Sequence, residues 1–279
     1  ADISRATLPV NAKDAPEIGI LKTNNENFIE AFIEKPAAEL LPQWESDVSE
    51  EMKLQGKYYL ASMGIYIFNR KLLIELMKNP NTKDFGKEII PQAVGQQKIL
   101  SYQYEGYWTD IGNIDSFFEA NIGLTDDIPH FNLFDNDNKI FTRPRLLPPS
   151  KFQKTHLENS LISEGCILNA KEIKKSVIGI RSRIGSDTVI HNSYVMGNDF
   201  YQSLDVMKEE VEQNKQSIGI GERCFINNAL VDKNVRIGND VFINGGKHLE
   251  NCSTDLYAVK DGIVVIKKGV TIPNNFSIQ

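Results

Sequence analysis

Aliphatic residues in the second half of this chain recur every six positions, and that spacing excludes most folds. Leu161, Ile167 and Ile173 are six apart, as are Ile178, Ile184, Ile190 and Met196, then Ile220 and Ile226, then Val231, Ile237 and Ile243. An α-helix repeats at 3.6 residues and a lone strand at 2, so neither turns all of these side chains to one side. Hexapeptide repeats that coil into a β-helix do: each repeat makes one flat face and points its aliphatic residue into the prism. Glycine follows the aliphatic residue at Gly179, Gly185, Gly221 and Gly238. The register slips by one at 173 to 178 and again at 226 to 231, and a polar stretch at 198–217 reads as a loop or short helix projecting from a corner. The competing reading is a plain β-sandwich with chance spacing.

The first part of the chain is different. Residues 28–33 and 58–68 are strand-like, rich in β-branched and aromatic residues. Leu72, Leu73, Leu76 and Met77 form a helical stripe stopped by Asn79-Pro80, residues 99–104 read as another strand, and Ile114, Phe117, Phe118 and Ile122 mark a helix with Asn113 as N-cap. This alternation predicts an α/β sandwich with a mostly parallel sheet. Prolines 129, 144, 148 and 149 amid Asp and Asn mark a wrapping linker. The expected organisation is therefore an α/β domain over 1–125, a linker over 126–156 and the β-helix over 157–279. Because residues 1–10 already alternate like a strand, the first domain is expected to open in mid-strand, as in a chain that lacks an earlier segment.

Composition narrows the function classes. A net charge of −6 argues against nucleic-acid binding, which normally needs a basic surplus. The longest apolar runs, such as 263–266, are too short to span a bilayer. Cys166, Cys224 and Cys252 are far apart and odd in number, which suits neither a zinc site nor a disulfide framework, and indicates a reduced compartment. His130, His156, His191 and His248 form no metal-ligand pair.

Seven sequence blocks in order point further. They are AFIEKP (31–36), ASMGIYIF (61–68), DFGKEIIP (84–91), GYWTDIGNIDSFFEANIGL (106–124), IFTRPRLLPPSKF (140–152), LVDKNVRIGNDVFI (230–243) and DGIVVIKKGVTIP (261–273). Together they resemble the glucose-1-phosphate adenylyltransferases, closest in style to the plant and cyanobacterial members. The resemblance implies a nucleotidyltransferase α/β sandwich (Rossmann-like) followed by a left-handed parallel β-helix. It implies transfer of a nucleotidyl group from ATP to glucose 1-phosphate with release of pyrophosphate, making ADP-glucose for glycogen or starch. Catalysis of this kind rests on positioning and charge neutralisation.

The same resemblance assigns roles. Lys35 would neutralise the sugar phosphate, and Glu34 would accept hydrogen bonds from glucose hydroxyls. Ser62, Gly64 and the backbone of Gly19 would contact the sugar phosphate, and Trp108 would pack beside it. Asp110 would be one of two carboxylates on Mg2+, a metal that prefers hard oxygen ligands. Arg145, Lys233 and Lys268, with Arg143 as a weaker addition, would bind a phosphorylated metabolite or phosphate as effector. The family implies a homotetramer or heterotetramer, and a cytoplasmic location or the plastid stroma in a plant or alga.

One departure stands out. The family's GGGxGxRL loop, which cradles ATP, has no match in the 279 residues. The chain is accordingly expected to be the C-terminal portion of such an enzyme and not to release pyrophosphate by itself. Two alternatives remain at this point: a non-catalytic regulatory subunit of the same family, and a hexapeptide-repeat acyltransferase using His191 or His248, which leaves the EKP and WTDIG blocks unexplained.

Overall fold

A computed structural model describes residues 1–78, 84–213 and 215–279. They fall into two compact units, 1–108 and 109–279. The first begins with strands β1 (Ile3–Asn11), β2 (Ile20–Thr23) and β3 (Ile29–Ile33). Helix α1 (Glu50–Leu54), the long strand β4 (Lys57–Phe68), helices α2 (Arg70–Leu76) and α3 (Ile90–Ala93), and strand β5 (Ile99–Gln103) follow. The expected stop of α2 at Asn79-Pro80 lies outside the described residues.

These strands form one sheet in the order β3-β2-β4-β1-β5. Its pairing corrects the expectation of a mostly parallel sheet: β1–β5 is parallel, whereas β1–β4, β2–β4 and β2–β3 are antiparallel. Connection length is one reason. Only residues 24–28 join β2 to β3, and parallel neighbours need a crossover of about a dozen residues or more. Asn24 closes that hairpin, its Oδ1 accepting from Glu26 N and Phe28 N at 3.0 Å each. Ile3, Leu21, Leu60, Ile90 and Ile99 form one buried cluster, and Val10, Ile20, Leu41, Tyr59 and Ala61 another.

In the second unit, helix α4 (Ile114–Ile122) starts at Asn113, whose Oδ1 accepts from Ser116 N at 2.8 Å. Its apolar face packs on Leu230, Ile263, Tyr194 and Met196 of the coiled region. The boundary at 108/109 therefore places α4, grouped by the sequence with the first domain, in the second unit. Strands of the coil begin at Lys151.

The coil is a prism of three sheets with six, seven and six strands. Pairing is parallel throughout except at 252–266, where three successive antiparallel strands end the seven-stranded face. Ile173 pairs with Ile190, Ile178 with Val195 and Ile226 with Ile243, each 17 positions on. These coils contain one five-residue step, and the coils that join Ile162 to Ile178 and Leu168 to Ile184, 16 positions on, contain two; such steps account for the slips at 173 to 178 and 226 to 231. Leu168, Ile173, Ile178, Ile184, Ile190, Ile226 and Ile243 fill the interior, each at most 1% exposed. Burying each such side chain contributes about 1.5–3 kcal/mol before entropy.

Three positions differ from the six-residue reading. Ile162, Leu168 and Val195 occupy the interior columns in place of Leu161, Ile167 and Met196, because Ile162 pairs with Ile178, Leu168 with Ile184 and Val195 with Val231. Each lies in an apolar doublet, so hydrophobicity alone cannot choose the inward member and the ladder register does. The stacking also explains the corner glycines: a Cβ on Gly185 would fall 2.5 Å from the carbonyl oxygen of Gly221 in the next coil. The 198–217 insertion carries helix α5 (Leu204–Glu212). It is fastened to the prism by Arg236 Nη1 to Glu210 Oε1 at 2.8 Å and Ile218 N to Gln202 Oε1 at 2.6 Å.

Candidate functional site

Four of the expected site residues meet where β2, β3 and β4 run side by side. Gly19 immediately precedes β2, and its carbonyl accepts from Ser62 N of β4 at 2.8 Å. A Cβ on Gly19 would lie 2.7 Å from the Phe32 ring and 2.8 Å from Glu34 Oε2. That approach requires glycine and shows that the Glu34 carboxylate lies directly over it. Glu34 and Lys35 follow the end of β3 and are exposed, and Pro36 behind them is buried. Lys35 has φ 48°, in the left-handed region that side chains enter only at a cost.

Gly64 sits in an irregularity of β4. Arg5 pairs with Tyr66 and Thr7 with Ser62, so three β4 residues stand opposite Ala6 alone. Its φ of 71° is the reason for glycine there, since a Cβ would meet nothing within 4 Å.

Beneath this cluster lies a residue that sequence reasoning missed. Arg5 alternates with Ser4 and Ala6 along β1 and is buried with Ile3 and Thr7. Its guanidinium carbon stands 4.5 Å from the centroid of Phe32 and 5.2 Å from that of Tyr66. Burial pushes the guanidinium pKa down, and Tyr66 and the negative charge of Glu34 oppose that shift. The available signal was the period of two: a strand whose inward positions read Ile3, Arg5, Thr7 carries an ion into the core.

Trp108 is half-buried and lines a cavity of about 430 Å³ together with Ser4, Ala6, Met63 and Ile65. Asp110, in the second unit, is exposed, and its Oδ1 accepts from Gly112 N at 3.0 Å just ahead of α4. Among the described residues no group of three His, Cys, Asp or Glu side chains converges as a metal cage. Magnesium does not need one, because one or two carboxylates plus substrate phosphates hold it. An exposed carboxylate with a second oxygen outside that turn fits such a role.

Of the three cations assigned to an effector, two come together. Gly269 N donates to Lys233 O at 2.9 Å, joining the turns that carry Lys268 and Lys233. Both face Asp199. Lys233 Nζ lies 2.8 Å from Asp199 Oδ1, and Asn234 Nδ2 donates to its Oδ2 at 2.9 Å. These bonds, Lys233 first, hold the Asp199 carboxyl below the ordinary range, and the charge of Lys268 adds to them. Lys233 is thus already engaged by a carboxylate. Arg145 is exposed, with Nη1 donating to Arg143 O at 3.4 Å. His191, one of two histidines offered for acyl transfer, sits 2.5 Å from Glu172 Oε1 and edge-on to Phe225. The three cysteines are free, Cys166 and Cys224 buried and Cys252 exposed. No helix among the described residues is long and apolar enough to cross a membrane.

Two family models match the chain. Residues 1–127 match the family model described as nucleotidyl transferase. Residues 145–276 match the GLGC left-handed parallel beta-helix domain. The chain therefore joins a nucleotidyltransferase domain to a left-handed parallel β-helix domain. That pairing is the GlgC-type architecture, and a transferase is the class of enzyme it defines.

Proposed function

We propose that the chain serves the synthesis of ADP-glucose from ATP and glucose 1-phosphate, with release of pyrophosphate, in glycogen or starch formation. The observation that carries this reading is the convergence of Gly19, Glu34 and Ser62 in one place, with Lys35 beside them, inside a nucleotidyltransferase domain of GlgC-type context. Glu34 offers acceptor oxygens to sugar hydroxyls. Lys35 offers a point charge to the sugar phosphate, neutralising it as it attacks the α-phosphorus of ATP in line. Asp110 would supply one carboxylate to Mg2+, which bound there would stabilise developing charge on the phosphates. Lys233 and Lys268 would take a phosphorylated metabolite or phosphate as effector, with Arg145 as a third cation if the 126–150 segment brings it in. A homotetramer or heterotetramer in the cytoplasm or a plastid stroma completes the proposal.

Titration calorimetry of this chain with glucose 1-phosphate tests the central claim. Binding that Lys35→Ala weakens by tenfold or more supports it. Absence of binding, or equal binding by the variant, would sink it.

A further inference from the structure

The sugar cluster rests on an ion that the function proposed above does not use. Arg5 is 1% exposed. Its Nε donates to Ser62 Oγ at 2.9 Å, its Nη2 donates to the same oxygen, and Gly64 N donates to it at 3.2 Å. A hydroxyl has two accepting lone pairs and one hydrogen to give. Three N–H groups converging on Ser62 Oγ occupy its whole accepting capacity and leave only the hydrogen. None of these bonds uses that hydrogen. The remaining guanidinium nitrogen, Nη1, is buried without a hydrogen-bond partner. As a way to fill space between Phe32 and Tyr66 this is poor, since an apolar side chain would need no such compensation. The arrangement makes sense if the guanidinium acts through the hydroxyl it holds.

We infer that Arg5 is a positioning residue that fixes Ser62 as an obligate hydrogen-bond donor, so that the Gly19–Glu34–Ser62 cluster takes a sugar ring presenting an acceptor oxygen to Ser62 and a hydroxyl to Glu34. Ser62 cannot accept, and the cation behind it repels positive charge. An ammonium group facing Ser62, as an amino sugar could offer, is therefore rejected, whereas a hydroxyl or ether oxygen is welcomed. Glu34 is the complementary half, because an ionised carboxylate only accepts. One side of the cluster thus donates and the other accepts. This inference rests on the cluster being the sugar site.

The experiment compares the wild-type chain with Arg5→Met, Arg5→Lys, Ser62→Ala and the Arg5→Met/Ser62→Ala pair. By calorimetry with glucose 1-phosphate, Arg5→Met and Ser62→Ala should each weaken binding by about tenfold, the scale of one lost hydrogen bond. The pair should be no weaker than Ser62→Ala alone, because Arg5 acts through Ser62. Arg5→Met should melt no lower than wild type, which a purely structural arginine would not allow, and Arg5→Lys should bind between the two. Wild-type affinity in Arg5→Met, or losses that multiply in the pair, would overturn the inference. A ligand-free readout separates it from the function it rests on. The Arg5 Nε–H resonance should be protected from solvent exchange and lose that protection in Ser62→Ala. If it does not change, the inference fails. If it changes as expected but the wild-type chain binds no glucose 1-phosphate, the sugar reading is the part that falls.

Discussion

Lys35 offers a test in which stability and binding move in opposite directions. Its φ of 48° places a side-chain-bearing residue in the left-handed region, at a cost of about 1–2 kcal/mol. Lys35→Gly removes that strain but adds roughly 0.5–1 kcal/mol of backbone entropy to the unfolded chain. The net is a stabilisation of about 0.5–1 kcal/mol. For a unit of this size that raises the melting temperature by roughly 3–6 °C. The same substitution removes the ammonium assigned to the sugar phosphate. Losing a hydrogen bond to a charged group costs about 1.5–3 kcal/mol, or roughly 10- to 150-fold in affinity. Lys35→Ala is the control: it keeps the strain, so its melting temperature should stay at the wild-type value while its affinity falls as far. Scanning calorimetry and titration with glucose 1-phosphate give both quantities on the same samples. A Lys35→Gly variant that melts lower than wild type would show that the backbone is not strained there. A variant that binds normally would remove Lys35 from the site.

Other consequences are as direct. With glucose 1-phosphate present, manganese used in place of magnesium should broaden the NMR signals of residues 109–113, and Asp110→Asn should abolish the effect; broadening that persists would remove Asp110 from the metal site. Because Asp199 titrates below its ordinary range, its contribution to stability is fully present above about pH 4, and it disappears as pH falls through the lowered value. Lys233→Ala should return Asp199 to the ordinary carboxylate range in an NMR titration, and an unmoved midpoint would contradict the pairing. Ile190→Ala, at 0% exposure in the prism, should cost about 2–5 kcal/mol in denaturant unfolding of the second unit; a loss below 1 kcal/mol would mean that the column relaxes around the cavity. Lys268→Glu should weaken phosphate or sugar-phosphate binding at the Asp199 cluster while leaving glucose 1-phosphate affinity at the Glu34 cluster unchanged. Any change in the latter would show that the two sites are coupled or misassigned.

What the sequence disclosed and withheld follows physical lines. The prism was legible because burial inside it depends on a short local period, and Ile173, Ile178, Ile184 and Ile190 keep that period with few exceptions. The failures at Leu161, Ile167 and Met196 are apolar doublets, where pattern cannot choose between neighbours and only pairing with another coil can. The sheet of the first unit was misjudged in direction, because alternation of elements says nothing about the Asn24 turn that reverses the chain after β2. In the Gly19–Glu34–Ser62 cluster, Glu34, Lys35, Ser62 and Gly19 were visible as short motifs. Arg5 was not, because its meaning lies in a contact with Ser62 across 57 positions of sequence. The grouping of Lys233 with Lys268 was expected from the resemblance, but the Asp199 carboxylate that engages Lys233 was hidden, since it comes from a loop 34 positions away.

The 16- and 17-residue steps of the prism bear on how this half of the molecule acquires its structure. Ladder partners such as Ile173 and Ile190, or Ile226 and Ile243, are always one coil apart, so the contact order of the domain stays low however many coils are stacked. Each new coil closes a loop of the same modest length on a template already formed, and growth can proceed from either end. Two insertions break the rule: one separates Val231 from Ile266 by 35 positions, and the α5 segment is the other. Ile184 pairs with Ile220, 36 positions on, because the α5 insertion intervenes. Closing that longer loop costs about 0.7 kcal/mol more than closing 17 residues, from the logarithmic dependence of closure entropy on length. The seam beside α5 is therefore, like the one between Val231 and Ile266, a place where assembly of the stack slows and separately nucleated blocks of coils meet. The Arg236–Glu210 and Gln202–Ile218 bonds fasten the insertion to the coils on its C-terminal side.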